Sequence, residues 1–117
     1  MAKRPVVHDF GSHNEGQFRL ALDTFLAGCD SIYLEYKNQF YPNIPRDRFV
    51  VQWLQKRVRI MHGSSAHTFI DIATGDVLKP ASWSTPAKHA RGNIYDEHSG
   101  LKWMGPSGPA YLKRGRS

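Results

Sequence analysis

Residues 67–80 read His67-Thr68-Phe69-Ile70-Asp71-Ile72-Ala73-Thr74-Gly75-Asp76-Val77-Leu78-Lys79-Pro80, and this stretch decides the fold. Thr68, Ile70 and Ile72 alternate with His67, Phe69 and Asp71. That period of two puts one face of a strand on a core and the other away from it. Ala73-Thr74-Gly75-Asp76 has turn chemistry, because Gly tolerates a positive φ and Asp bonds nearby backbone amides. Val77-Leu78-Lys79 then resumes an apolar run that stops at Pro80, completing a hairpin. Upstream, Val58, Ile60 and His62 alternate with Arg57, Arg59 and Met61, which predicts a strand near 56–62. Three strands in sequence, 56–62, 67–72 and 76–79, make an antiparallel meander. Residues 46–55 fit either a short helix or turn, or the start of one longer strand from Phe49.

A meander with one apolar face needs a covering layer, and the N-terminal third supplies it. Phe18, Leu22, Phe25, Leu26, Cys29, Ile32, Tyr33, Tyr36 and Phe40 recur at threes and fours, a helical stripe of about six turns. Ser12-His13-Asn14-Glu15 matches a capping box, so the helix is expected to start there. Pro42 and Pro45 close it. Gly28 inside the stripe costs about 1 kcal/mol relative to Ala and therefore marks a close contact or a break. The fold class is α+β: a long N-terminal helix packed on a small three-stranded antiparallel sheet, with an irregular C-terminal tail. Residues 1–98 read as one domain, in which 1–11 is a loose arm. Residues 99–117 read as an extended basic tail rich in Gly and Pro.

Composition bounds the function. A chain of 117 residues fits one core, and 40% hydrophobic residues suffice to order most of it. No apolar run approaches the ~20 residues that span a bilayer, and no apolar segment follows the basic start, so neither anchor nor signal peptide is expected. The single cysteine, Cys29, excludes an internal disulfide and fits an intracellular setting. It lies on the apolar face of the helix and reads as a small buried hydrophobe. The net charge is +6. Five of the sixteen Lys and Arg residues sit in the tails (Lys3, Arg4, Lys113, Arg114, Arg116), leaving eleven against ten acidic residues. The basicity is thus two tails and an internal stripe over Arg46–Arg59.

The run from Phe69 to Trp83, followed by Pro86-Ala87-Lys88-His89-Ala90-Arg91-Gly92-Asn93-Ile94, resembles a module in small uncharacterised bacteriophage proteins. Those proteins similarly pass a strand pair through a Thr-Gly-Asp turn into Lys-x-Ala-Ser-Trp, then Pro-Ala-Lys-x-x-Arg-Gly. The resemblance implies a phage or prophage gene and a host-cytoplasmic setting. It brings no settled activity, and it does not reach the N-terminal half.

No motif points to catalysis. There is no Walker loop, dinucleotide fingerprint, HExxH or paired cysteine, so no cofactor, metal or enzymatic activity is expected. Folding could still assemble a His–His–Asp grouping, for example His62, His67 and Asp71, and a small hydrolase or nuclease that uses the histidines is a third reading. From Pro80 onward the sequence reads as loop, and the residues that best suit a ligand are Lys79, Trp83, Lys88 and Arg91 in the loop from Lys79 to Arg91, with Arg57 and Arg59 from the stripe. Cations that grip phosphates beside an aromatic that stacks on a base suit single-stranded nucleic acid. The leading expectation is a phage accessory protein that binds nucleic acid with little sequence specificity. The alternative is an interaction module for a host or phage protein, anchored by Trp53, Trp103 and Tyr111.

Overall fold

The computed structural model of the protein describes residues 7–109. Helix α1 spans Glu15–Phe40. Its N-cap is Asn14, not Ser12. The Asn14 side chain accepts from the Gln17 amide at 2.8 Å, and the Gln17 side chain accepts from the Asn14 amide at 2.9 Å. Two box-like frames overlap in this stretch. The later one wins with equally good chemistry, and Glu15 is left free to pair with Arg19 one turn on. Phe18, Leu22, Phe25 and Cys29 are buried. Further along the stripe, Tyr36 and Phe40 are exposed.

Beneath α1 lies a five-stranded antiparallel sheet in sequential order: β1 Phe49–Trp53, β2 Arg57–His62, β3 Ser65–Asp71, β4 Asp76–Pro80 and β5 Pro86–Asn93. The α+β architecture is the expected one, and the three expected strands are β2, β3 and β4. Two more strands flank them. Residues 46–55 are neither a helix nor the start of a continuous strand. β1 ends at Trp53, and the Leu54 amide bonds back to the Arg57 carbonyl at 2.9 Å, which closes a tight hairpin. Phe49, Val51 and Trp53 pack on the core, so an alternating strand was hidden in a run that also fits a helix. Pro86 and Gly92 obscured β5; both are tolerated because β5 is an edge strand with an irregular register.

The sheet has two distinct faces. Val58, Ile60, Ile70, Ile72 and Val77 meet α1 in the core, and each is at most 1% exposed. Burying one such side chain contributes about 1.5–3 kcal/mol. On the other face Gln52 pairs with Arg59, Arg59 with Phe69, and Phe69 with Leu78. Phe69 is fully buried there although it points away from the helix.

The Thr-Gly-Asp turn forms as expected. Gly75 has φ +81°, and its amide bonds the Asp71 carbonyl at 2.7 Å. Asp71 also accepts from the Thr74 amide. Of the expected arm and tail, residues 7–11 and 99–109 are described, while the basic Lys3, Arg4, Lys113, Arg114 and Arg116 lie outside the described residues. His8 packs on Trp53 and Phe10 on Phe18, with ring centroids 5.2 and 5.5 Å apart. Residues 99–109 carry a small hairpin, β6 Met104–Gly105 with β7 Gly108–Pro109. Leu101 presses against Gly28, where a Cβ would come within 2.1 Å of it. Gly28 therefore marks a close contact, not a break. Among the described residues, no helix is long and apolar enough to cross a membrane.

Candidate functional site

The stretch from Lys79 to Arg91 is not a loop but a hairpin, β4 and β5 joined at a tip of residues 81–85. Ala81 and Ser82 both donate to the Thr85 carbonyl, and Ser82 Oγ accepts from the Thr85 amide. The tip carries Trp83, whose ring lies over the Arg59 guanidinium at 4.3 Å. Arg59 also donates to the Trp83 carbonyl at 3.2 Å and to the Gln52 side chain. Three contacts thus hold Arg59 in place at only 8% exposure, while Trp83 remains 49% exposed. The result is a fixed aromatic plane on the sheet face away from α1. Arg57 projects from the same face two residues away on β2, opposite Asp71 of β3.

The six expected nucleic-acid residues do not form one cluster. Arg57, Arg59 and Trp83 share the outer face. Lys88 is exposed in the irregular middle of β5. Lys79 and Arg91 face the opposite side, next to β7. Lys79 donates to the Pro109 carbonyl at 2.9 Å, and Arg91 donates to the His89 carbonyl. Burial, and then the neighbouring Arg91 charge, push the Lys79 amine below the ordinary lysine range. Of the aromatic anchors expected for a protein partner, Trp53 is packed between Phe18 and Arg19. Trp103 is exposed, and Tyr111 lies outside the described residues.

A second site was only half visible in the sequence. His62 and His67 do come together, with ring centroids 6.0 Å apart. Asp71 does not join them; it lies four residues further along β3, opposite Arg57. Among the described residues, no three His, Cys, Asp or Glu side chains are placed to hold a metal. The pairing of the histidines depends on a β-bulge. Ile60 pairs with Thr68 and Met61 with Ala66, so His67 is the extra residue, without a partner on β2. A bulge re-aims the side chain it carries. Here it turns His67 toward the α1 side, edge-on to Phe49 at 4.9 Å, with Nδ1 sharing a 2.6 Å hydrogen bond with the Thr68 hydroxyl. Burial, then the nearby His62 and Lys79, lower the His67 pKa to about 4, so the ring is neutral at physiological pH. The nearby turn, with two histidines five residues apart, was the one sequence signal. The bulge gave none.

Fold and sites define a small helix-on-meander α+β protein with an aromatic–arginine platform on one sheet face and a histidine-lined pocket on the other. The chain belongs to DUF7717, a family of unknown function whose pattern matches residues 33–110, from the C-terminal third of α1 through β7. Both sites lie within that span. No curated protein and no solved structure matches the chain.

Proposed function

We propose that this protein binds single-stranded nucleic acid, with little sequence specificity, through the outer face of its sheet. The observation that carries this reading is Trp83 laid over Arg59. A half-exposed indole whose orientation is already set loses little freedom when a base stacks on it, and such stacking contributes about 1–3 kcal/mol per base. Arg57, on the same face, and the exposed Lys88 are the cations this reading assigns to the phosphates, whereas Lys79 and Arg91 are engaged on the other side. The Phe69–Ile94 resemblance supports a phage accessory role in the host cytoplasm. Anisotropy of a labelled single strand tests the reading: Trp83→Ala weakens binding about tenfold, in line with the loss of one stacked base. Equal affinity in the variant and the parent removes Trp83 from the site.

One observation favours a protein partner instead. Tyr36, Phe40, Tyr41 and Ile44 are exposed at and just after the C-terminal end of α1, with the Tyr36 and Phe40 rings 4.9 Å apart. Aromatic patches of this kind anchor interfaces. A stoichiometric partner retained after nuclease treatment, and lost in Phe40→Ser, supports that alternative.

A further inference from the structure

We infer that the pocket between the C-terminal half of α1 and the β2–β3 hairpin binds a small planar heteroaromatic molecule of nucleobase or nucleoside size. The pocket has a volume of about 290 Å³ and is lined by Tyr33, Tyr36, Asp47, Ser65 and both histidines, with Ser107 at its rim. It lies on the sheet face opposite Trp83, so the inference does not rest on the nucleic-acid reading.

Three independent features make it a built site. First, the bulge that turns His67 inward interrupts the β2–β3 ladder at this one place. Second, the walls are flat rings already locked in position. His62 stacks on Phe49 at 4.3 Å with a 12° interplanar angle, and meets Tyr33 edge-on at 4.2 Å. The Tyr33 hydroxyl in turn accepts from the Asp47 amide at 3.1 Å. Third, Nε2 of His62 and Nε2 of His67 are both buried with no hydrogen-bond partner among the described residues, and His67 is only 2% exposed. A buried polar atom without a partner is costly, so two on rings that line one pocket are groups that a ligand would satisfy.

The chemistry of the lining selects the ligand class. A metal would lack a third ligand among the described residues. A strongly anionic group would meet the Asp47 carboxylate in the same pocket. Ring walls favour a planar ligand, because aromatic faces stack. Imidazole nitrogens, serine hydroxyls and a carboxylate together ask for a ligand edge that both donates and accepts. A heteroaromatic base satisfies both conditions. Free nucleosides and a base at the end of a strand share this chemistry.

Titration of the full chain with adenosine, guanosine, cytidine and uridine in turn tests the inference, read by the imidazole ¹⁵N shifts of His62 and His67 and by calorimetry. At least one nucleoside is expected to bind saturably and to shift both imidazoles. Because Ser107 is exposed at the rim, Ser107→Trp should block the pocket without disturbing the buried rings. That variant is expected to keep the parent circular dichroism and lose about tenfold or more in nucleoside affinity, a change of about 1.4 kcal/mol. Trp83→Ala should leave nucleoside binding unchanged, so this site and the outer face fail separately. If an unlabelled single strand displaces the nucleoside, the base belongs to a strand; if it does not, the ligand is a free small molecule. Imidazole signals unmoved by all four nucleosides at millimolar concentration overturn the proposal, as does binding that survives Ser107→Trp.

Discussion

The Arg59 guanidinium lies 4.3 Å from the centroid of the Trp83 ring, and each residue fixes the other. Arg59 is bonded to Gln52 on β1 and to the Trp83 carbonyl, so it ties the tip of the β4–β5 hairpin back onto β2. Cation–π contacts contribute about 0.5–2 kcal/mol, and a hydrogen bond from a charged donor about 1.5–3. Arg59→Ala is therefore expected to lower stability by about 2 kcal/mol in urea melts. It should also red-shift the tryptophan emission as the Trp83 ring is freed. Arg59→Lys recovers only part of the loss, because a point charge cannot stack and donate twice as a planar guanidinium does.

Gly28 and Leu101 form a second coupled pair. A methyl group on Gly28 would collide with Leu101, while alanine is the better helix former by about 1 kcal/mol. The two effects separate in a double-mutant cycle. Gly28→Ala alone should destabilise the protein, by about 1–2 kcal/mol for an overpacked contact. In a Leu101→Ala background the same change should be neutral or stabilising by up to about 1 kcal/mol. Additive effects in thermal melts would show that the two residues do not touch in solution.

His67 ties stability to pH. Its pKa falls from 6.5 to about 4 in the folded protein, so between those values the unfolded chain binds the proton that the folded one rejects. Stability from this group is complete above pH 6.5 and is lost progressively as the pH drops toward 4. The loss is on the order of 3 kcal/mol, from about 1.4 kcal/mol per pKa unit. Urea midpoints measured from pH 7 to 4 should show the decline, and His67→Gln should flatten it.

Cys29 is 1% exposed on the inner face of α1. Burial first, and then the adjacent Asp30, push its thiol pKa up to about 12. Reaction requires the thiolate, so iodoacetamide at pH 8 should label the native protein slowly. Labelling should become fast once denaturant opens the core. Rapid native labelling would show that the helix separates from the sheet under native conditions.

What the sequence revealed followed from periodicity. Val58, Ile60, Thr68, Ile70 and Ile72 alternate cleanly, and Phe18, Leu22, Phe25 and Cys29 keep helical spacing, so helix, central strands and core were legible. The strand β1 was not, because Val50, Trp53, Leu54, Arg57 and Val58 also satisfy a helical period and the turn at 54–56 has no Gly or Pro. β5 was masked by Pro86, Gly92 and an irregular register, which made a hairpin look like a loop. The candidate sites fared unevenly for a related reason. Arg59 and Trp83 meet because a hairpin tip folds over the sheet. Lys79 and Arg91 were drawn to the other side by strand alternation. His62 and His67 converge only through a bulge, a one-residue insertion that leaves no compositional trace.

The most direct test of the nucleic-acid reading is the affinity of the full chain for labelled single- and double-stranded oligonucleotides at about 50 and 200 mM salt, with Trp83→Ala and Lys88→Ala in parallel. The expected result is tighter binding to single strands, a steep loss with salt, a loss of affinity in Trp83→Ala, and a salt slope smaller by about one in Lys88→Ala. No binding at the lower salt, or binding that neither substitution alters, contradicts the account and shifts the function to the exposed aromatics at the end of α1.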